Sequence, residues 1–272
     1  MPSSLRQLAR RVVPHSLYRR YRQRRIASQI AGYTPHDVTH VYGGQTLRIR
    51  LEDPLAEGWY DHDWEDSAVM AFLRDHGLLS PGATVFDVGA HQAVVALMLT
   101  RNVGESGHVV AVEAEPHNAH VAEINRDLNG ARNLTVIHAA GAATEGFTSF
   151  AEGLNGRVDE LTETGNVTVR TVTIDGLAKE YGTPDLVFVD VEGYEGQVLA
   201  GATDTLANGA TSFLVEVHDA ETLGVFNASS DAIADCFLGF DRYIAAGDDD
   251  PVTAMKGPPP AGRFFLVAIP AA

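Results

Sequence analysis

Residues 84–100 read TVFDVGAHQAVVALMLT and combine a short strand pattern with a helical pattern. Thr84–Val88 predicts a buried strand, and Gln92–Thr100 predicts a helix whose apolar side chains recur at helical spacing. Residues 89–91 join the two as a strand-to-helix turn, and doubly wound sheets bind their ligands beside such turns. This stretch therefore predicts the first strand–helix unit of an α/β fold.

The same alternation of short apolar strands and helices continues along the chain. Such strands are typical of a parallel sheet that is covered by helices on both faces. The crossovers between them are expected to be right-handed. Further strands are predicted at His108–Val112, Leu134–His138, Asp185–Val189 and Ser212–Val217, and further helices at 64–76, 118–128 and 196–206.

The last two predicted strands, Asp241–Ala245 and Phe264–Ile269, are joined in a different way. Residues 246–263 between them are rich in Gly, Asp and Pro and show no helical pattern. We therefore expect a hairpin rather than a crossover, so that the otherwise parallel sheet ends in an antiparallel pair.

Two further segments interrupt the strand–helix alternation. Residues 38–51 predict two short strands joined by a Gly-Gly turn at positions 43 and 44. Residues 146–175 predict an inserted hairpin or loop, with extra strands at Phe147–Phe150 and Val167–Val172.

These patterns divide the chain into three parts. Residues 1–36 form a basic, arginine-rich arm that is expected to be helical. Residues 37–63 form a small β-hairpin and a lid-like segment, and residues 64–272 form the main domain.

The charge of the chain is distributed unevenly. The 272 residues carry a formal net charge of −16, and 45% of them are apolar, which excludes a disordered chain. Residues 1–26 hold eight arginines and no acid, which leaves 12 basic and 36 acidic side chains in the remainder. Because so acidic a body repels the phosphates of nucleic acids, we expect no nucleic-acid partner.

The arginine-rich segment 1–26 allows two interpretations. Its apolar residues recur at helical spacing, so it can make a weak contact with an anionic membrane surface. Alternatively, it is a solvated helix that folds back on the acidic body or frays. A lone cysteine, Cys236, and the lack of a signal peptide or membrane span predict a cytoplasmic protein. Under the first interpretation it lies peripherally at the inner membrane surface.

The turn after the first strand is the first candidate site. Asp87 can accept a hydrogen bond from a ligand amine, and Gly89 would let the backbone approach a ligand closely. The fingerprint G-x-G-x-x-G is absent because Ala93 occupies the later small position, so a pyrophosphate has no glycine cradle. The alternative is a purely structural turn.

Glu113 ends the second strand and is the second candidate. A carboxylate at this point accepts hydrogen bonds from both ribose hydroxyls of a nucleoside-type ligand. The alternative is a solvated acid at the start of the next loop. Together with the turn at Gly89, it indicates a ribose-bearing cofactor without a phosphate cradle, a description that S-adenosylmethionine fits.

A third candidate follows the fourth strand, where Asp190, Glu192 and Glu195 flank a glycine. Three acids directly after a buried strand are costly to desolvate unless they face a cleft. They are expected to position an ammonium group, a substrate hydroxyl or a metal ion.

Six motifs in order resemble the FkbM family of S-adenosylmethionine-dependent methyltransferases, over roughly residues 60–220. They are Asp87-Val-Gly-Ala-His, Glu113-Ala-Glu-Pro, Thr173-Ile-Asp-Gly-Leu, Asp190-Val-Glu-Gly-Tyr-Glu, Leu199-Ala-Gly-Ala and Leu214-Val-Glu-Val-His. The resemblance implies a class I methyltransferase fold, which is Rossmann-like and doubly wound, with a mostly parallel seven-stranded sheet ending in an antiparallel hairpin. It also implies methylation of hydroxyls on sugars, polyketides and other secondary metabolites.

The resemblance also implies roles for individual residues. It places Asp87, Gly89 and Ala90 at the methionine end of the cofactor. It places Glu113 at the ribose and Asp190 near the reacting sulfonium. The expected cofactor site comprises Asp87, Gly89, Ala90, His91, Glu113, Ala114 and Asp190.

The sequence departs from the family pattern at several positions. The family usually has Asn at position 91, Gly at 93 and Lys at 188, where this chain has His91, Ala93 and Phe188. Compared with the family's glycine, the methyl group of Ala93 makes the turn narrower. Compared with the family's lysine, Phe188 lacks a positive charge. The acid that often follows the third strand is replaced by the run Ala139–Ala143, so adenine recognition is expected to rest on backbone groups.

Methylation of an alcohol benefits from a general base, because an alcohol is a poor nucleophile. His218 follows the fifth strand at the same edge of the sheet, and imidazole has a suitable pKa, so we expect it to be the base. Glu192 is the alternative base. A metal-dependent variant would draw on the carboxylates and the imidazole of Asp190, Glu192, Glu216, His218 and Asp219. However, the sequence contains no compact ligand set such as H-E-x-x-H, so no metal is expected.

Two other functions share part of this pattern. A nicotinamide oxidoreductase has the same strand, turn and acid, but the missing glycines and the terminal hairpin argue against it. A catalytically silent methyltransferase-like module, recruited to membranes or partners by its basic arm, is the second alternative. The favoured interpretation is an enzyme that uses S-adenosylmethionine and a small-molecule hydroxyl acceptor.

Overall fold

The chain forms a central β-sheet with helices on both faces, and a computed structural model describes residues 24–151, 157–158 and 167–271. The strands are β1 (His36–Tyr42), β2 (Gln45–Leu51), β3 (Thr84–Val88), β4 (His108–Glu113), β5 (Leu134–His138), β6 (Ala140–Gly141), β7 (Gly146–Ala151), β8 (Arg157–Val158), β9 (Val167–Val172), β10 (Leu186–Val189), β11 (Ser212–Val217), β12 (Phe240–Ala245), β13 (Thr253–Ala254) and β14 (Phe264–Pro270). The helices are α1 (24–31), α2 (Pro54–Tyr60), α3 (Ala68–Asp75), α4 (Val94–Val103), α5 (Pro116–Leu128), α6 (Ile174–Tyr181), α7 (Glu195–Ala200), α8 (Thr203–Ala207), α9 (Ala220–Gly224) and α10 (Ser230–Asp235).

The central sheet has the strand order β13-β12-β14-β11-β10-β3-β4-β5. Strands β11, β10, β3, β4 and β5 pair in parallel, whereas β14 is antiparallel to both β11 and β12. The expected doubly wound, mostly parallel sheet with a terminal antiparallel pair is therefore confirmed. All seven expected strands are present. An eighth, β13, has only two residues and forms because Thr253 and Ala254 of the long connection pair with β12.

Both faces of the central strands are buried, which explains why their sequences are almost continuously apolar. In β3, Val85 belongs to the hydrophobic cluster on one face and Phe86 to the cluster on the other. In β4, Val109 and Val110 divide in the same way. The first cluster includes the apolar residues of α4, and the second includes those of α7.

The hairpin of β1 and β2 packs against the main domain. Leu47, Ile49 and Leu51 alternate along β2 and belong to the same cluster as the apolar side of α4. The side chain of Asn125 in α5 accepts a hydrogen bond from the backbone N–H of Arg50 at 2.7 Å. These contacts fix the hairpin on the face of the sheet that α4 also covers. The domain boundaries expected from the sequence stay predictions.

The inserted segment forms a second sheet with the order β6-β9-β7-β8. Its antiparallel pair β7 and β9 corresponds to the two extra strands expected from the sequence. Most of the expected N-terminal arm, residues 1–23, lies outside the described residues. The described part of the chain begins with α1. In the part of the chain that the structure describes, no helix combines the length and the apolarity needed to cross a membrane.

All four predicted helices differ in their bounds from those observed, and two of them differ most. The helix predicted at 64–76 begins at Ala68, because the Ser67 hydroxyl caps it by accepting a hydrogen bond from the Met70 N–H. The helix predicted at 196–206 is divided into α7 and α8 near Gly201. A Cβ at Gly201 would lie 2.1 Å from the carbonyl oxygen of Ala142, so this close approach requires glycine.

Candidate active site

The candidate residues come together at the carboxyl ends of four neighbouring strands. Asp87 lies in β3 and Glu113 ends β4, while Asp190 follows β10 and His218 follows β11. Because these strands are adjacent and parallel, the side chains at their carboxyl ends share one edge of the sheet. The structure therefore assembles the sequence-predicted residues in one region.

Asp87 is buried without compensation for its charge. Its residue is 2% exposed, and its Oδ2 has no hydrogen-bond partner among the residues that the structure describes. Burial raises the pKa of Asp87 from its usual 3.8 to about 7. A carboxylate in this state suits a ligand that brings a positive charge or a hydrogen-bond donor.

Glu113 is held by backbone groups. Its Oε2 accepts a hydrogen bond from the N–H of His91, and its Oε1 accepts one from the N–H of Glu115, both at 2.7 Å. Burial nevertheless raises the pKa of Glu113 to about 8. Each carboxylate oxygen can accept a second hydrogen bond, so the group is oriented and can also bind ligand hydroxyls.

The turn at Gly89 has a structural reason for its glycine. Gly89 has φ +98°, and a Cβ there would lie 1.7 Å from the carbonyl oxygen of Asp190. The backbone N–H groups of Gly89 and Ala90 both donate to the carbonyl of Val112, at 2.9 and 3.1 Å. Gly89 therefore lets the turns after β3 and β10 touch. The sequence analysis explained this glycine only by a close approach of the backbone to a ligand and did not predict the contact between the turns.

The same turn contains two non-glycine residues with left-handed backbone conformations. His91 has φ 49° and Ala93 has φ 64°, and Ala93 is the residue that precedes α4. Such conformations are uncommon for residues with a Cβ and cluster at functional sites. Ala93 is fully buried, so its methyl group fills space that glycine would leave open.

An aromatic group from α2 covers the turn. The hydroxyl of Tyr60 is hydrogen-bonded to Nδ1 of His91 at 2.7 Å, and the ring of Trp59 lies 5.0 Å from the His91 ring. Tyr60 is buried, whereas Trp59 is 38% exposed. The sequence patterns did not predict α2, so the contact of this segment with His91 was missed.

His218 lies between two carboxylates. Its Nδ1 is 2.6 Å from Oε1 of Glu195, and its Nε2 is 3.4 Å from Oε2 of Glu192. Burial disfavours the charged imidazole, but the hydrogen bonds to Glu192 and Glu195 outweigh it and raise the pKa of His218 to about 10. The ligand-free imidazole therefore carries a proton at neutral pH.

Asp190 and Glu216 form a second pair of groups beside His218. Burial and the charge of Glu216 raise the pKa of Asp190 well above its usual value. Burial also raises the pKa of Glu216, although the guanidinium of Arg263, its ion-pair partner, opposes this shift. Burial and the neighbouring carboxylate of Glu216 therefore both favour the neutral form of Asp190.

Asp190, Glu216 and His218 also have the spacing of a metal site, since one ligand atom from each lies within 4.8 Å of the others. The expectation that no metal takes part stays a prediction. Arg263 already neutralises part of the charge of Glu216 in this arrangement.

The contacts that two further residues make in the site were not predicted. Glu216 interrupts β11, in which all six residues are buried, and a carboxylate in such a strand is a usable signal in the sequence. Glu195 belongs to the third candidate group, begins α7 and is fully buried, but nothing in its local sequence indicates that its partner is His218.

Several solved structures are similar to this chain. The FkbM methyltransferase from Methylobacillus flagellatus KT has a TM-score of 0.46 and 14% identity over 68% of this chain and 43% of its own. A SAM-dependent methyltransferase from Aquifex aeolicus has a TM-score of 0.45 and 15% identity over 80% of this chain and 94% of its own. Fibrillarin from Aeropyrum pernix, solved with natively bound S-adenosyl-L-methionine, has a TM-score of 0.45 and 12% identity over 89% of this chain and 86% of its own.

The chain thus spans less than half the length of the Methylobacillus protein. No curated protein matches it. The family model described as the methyltransferase FkbM domain matches residues 87–235, which begin at Asp87 and include Glu113, Asp190 and His218. Since this match covers more than half of the 272 residues, the chain belongs to the FkbM methyltransferase family.

Proposed function

We propose that this FkbM-family protein transfers a methyl group from S-adenosylmethionine to a hydroxyl of a small molecule, such as a sugar, a polyketide or another secondary metabolite. Methyl transfer is the reaction of its family. One observation supports the full proposal most directly. The unpartnered buried Oδ2 of Asp87 lies at the same sheet edge as the ionisable cluster around His218.

The residues at this edge fit the cofactor. The Asp87 carboxyl group suits the amine of a methionine moiety, because a bound cation favours its ionised form. Glu113 keeps one lone-pair direction on each oxygen for the ribose hydroxyls. When bound, S-adenosylmethionine supplies an electrophilic methyl group on a positively charged sulfonium.

His218 and Glu192 are proposed to accept the proton of the acceptor hydroxyl. Proton removal makes the oxygen a better nucleophile, and a positioned base contributes roughly 10²–10⁴-fold to such reactions. A cation bound beside Asp190 would lower the pKa of His218, since like charges disfavour each other, and would free Nε2 for the proton. Glu192, whose side chain is 37% exposed, is the alternative acceptor of this proton.

The aromatic residues over the turn support an acceptor with a ring. Trp59 is 38% exposed and lies beside His91, and an exposed indole offers a face on which a sugar or another ring can stack. A cytoplasmic location and a weak contact of residues 1–26 with anionic membranes remain further proposals.

Calorimetric titration of S-adenosylmethionine and, separately, NADH tests the cofactor. We expect micromolar binding of S-adenosylmethionine and none of NADH. Asp87→Asn should weaken binding about tenfold or more, because a charge-assisted hydrogen bond contributes roughly 1.5–3 kcal/mol. The matched control is Asp185→Asn, since Asp185 is exposed and lies at the opposite end of the sheet, where it accepts a hydrogen bond from the Thr84 N–H.

The same preparation, incubated with sugars, polyketides and phenols, should yield a product heavier by one methylene and methylated on oxygen. Wild-type protein that binds no S-adenosylmethionine would contradict the proposal. Binding without turnover of any acceptor class would favour the catalytically silent module.

A further inference from the structure

Glu195 is a fully buried carboxylate in contact with His218. Its residue is 0% exposed, and its Oε1 accepts hydrogen bonds from His218 Nδ1 at 2.6 Å and from the Gly193 N–H at 2.9 Å. Within the described residues, its Oε2 has no hydrogen-bond partner. Because a buried carboxyl group needs polar partners, the contacts with the His218 ring and the Gly193 N–H are what hold Glu195 in this position.

We propose that Glu195 is a positioning residue, which engages the Nδ1 proton of His218 and thereby directs Nε2 towards Glu192. The full burial of Glu195 prevents it from touching a ligand, so it acts through His218. This inference rests on the proposed function, which assigns His218 to the acceptor proton.

The backbone before α7 places the two carboxylates on either side of the imidazole. Glu192 has φ 52° and Gly193 has φ +98°, and a Cβ at Gly193 would lie 2.9 Å from the carbonyl oxygen of Thr222. The turn is therefore pressed against α9, which leaves little freedom for it to shift. As a result, Glu195 faces Nδ1 and Glu192 faces Nε2 of the same ring.

A ring held in this way has a defined tautomer when it is neutral. Since the Glu195 carboxylate accepts the Nδ1 proton, the neutral imidazole keeps hydrogen on Nδ1 and presents a free lone pair at Nε2. Nε2 is the nitrogen that lies 3.4 Å from Glu192 and 4.0 Å from Glu216. This is the tautomer that a base at Nε2 needs.

Besides Glu195, other charged groups around the ring also affect the pKa of His218. Glu192, Glu195 and Glu216 lie within 4.0 Å of the ring nitrogens. Asp190 and Arg263 adjoin Glu216, while Asp219 is the next residue along the chain. Because several acids favour the imidazolium, removing one charge should lower the His218 pKa without abolishing its elevation.

The test is a pH titration of the ligand-free full chain with isotope-labelled histidine, followed by NMR. The His218 signal is assigned by its loss in His218→Gln. In Glu195→Gln we expect the His218 pKa to fall by at least one unit, which is a tenfold loss of proton affinity, and the neutral ring to become a mixture of tautomers. Glu123→Gln, which removes a charge from an exposed position in α5, should leave both properties unchanged.

An unchanged pKa and tautomer of His218 in folded Glu195→Gln would overturn the proposal. Should Glu195→Gln fail to fold, Glu195→Asp takes its place, because it keeps the carboxyl group but shortens the side chain by one methylene. An unchanged pKa and tautomer of His218 in Glu195→Asp would likewise overturn the proposal. Calorimetry with S-adenosylmethionine on the same samples separates the two proposals. If the wild-type protein binds no S-adenosylmethionine, the proposed function is contradicted. The NMR result, in contrast, tests only the role of Glu195.

Discussion

At the scale of single residues, Gly89 shows how a packing requirement coincides with a site motif. Its φ of +98° lies in the region that residues with a Cβ rarely adopt. In addition, the space for a Cβ is already taken by the Asp190 carbonyl, 1.7 Å away. The two costs are separable, because Gly182 has φ +92° and nothing lies within 4 Å of the point that a Cβ there would occupy.

We therefore expect Gly89→Ala to be far more destabilising than Gly182→Ala. Gly182→Ala should cost about 1–3 kcal/mol for the backbone conformation alone, because φ 92° and ψ 164° lie in a region that is almost restricted to glycine. Gly89→Ala adds a collision with backbone, which the flanking strands β3 and β10 cannot relieve, so we expect its cost to exceed that of Gly182→Ala by at least about 2 kcal/mol. Urea unfolding of both variants measures the difference, and equal costs would show that the turns after β3 and β10 do not touch in solution.

The residues of the site were predictable to different degrees. Asp87 and Glu113 lie at the carboxyl ends of apolar strands and Asp190 directly follows one, and parallel topology brings such positions together without further information. Glu195 was part of a candidate group, but its contact with His218 was not predictable, because the two residues are 23 apart in sequence and the contact depends on how α7 packs. The protonated state of His218 likewise depends on Glu192 and Glu195 together rather than on the imidazole itself.

At the scale of elements, α2 is fixed to the turn after β3 by a buried polar network centred on Asp53. Its Oδ1 caps α2 by accepting from the N–H groups of Leu55 and Ala56, both at 2.9 Å. Its Oδ2 accepts from Gln92 at 2.7 Å and from His117 at 3.1 Å. Burial opposes ionisation of Asp53, but these hydrogen bonds outweigh it and keep its pKa below the usual value.

Asp53→Ala should therefore cost more than the loss of a helix cap. Removing a cap alone costs about 1 kcal/mol, and taking the Asp53 carboxylate away from the buried Gln92 and the half-buried His117 adds about 1–3 kcal/mol. Ser229→Ala, at the exposed cap of the similarly short α10, is the matched control and should cost about 1 kcal/mol. Urea unfolding compares the two variants, and a similar loss in both would mean that the network contributes no stability beyond the cap.

The elements of the main sheet were predictable, and the smaller ones were not. Strands such as β3 and β11 have the predicted bounds because both of their faces are buried and their sequences are largely apolar. In contrast, α2 and α9 have seven and five residues, too few for a clear helical period. The two-residue strand β13 depends entirely on its neighbour β12, so its own sequence carries no strand signal.

At the scale of the whole molecule, three buried ionisable groups, Asp87, Glu113 and His218, make stability depend on pH in the same direction above pH 5. Folding raises the pKa of Asp87 from 3.8 to about 7 and that of Glu113 from 4.5 to about 8, so the folded state favours their neutral forms. Folding raises the pKa of His218 from 6.5 to about 10, so the folded state favours its charged form. In all three cases the folded chain binds protons more tightly, and stability is lost as the pH rises through each window.

The free energy of unfolding of the ligand-free protein should therefore fall between pH 5 and pH 8, as measured by urea unfolding at both values. Since each pKa unit corresponds to about 1.4 kcal/mol, Asp87→Asn should remove about 2–3 kcal/mol of this loss and be more stable than wild type at pH 8. Asp185→Asn, which replaces an exposed carboxylate, should follow the wild-type pH dependence. Parallel curves for Asp87→Asn and wild type would contradict the elevated pKa. The stabilised variant should also be the one that binds S-adenosylmethionine more weakly, because the same uncompensated carboxylate that destabilises the empty fold is proposed to bind the cofactor amine.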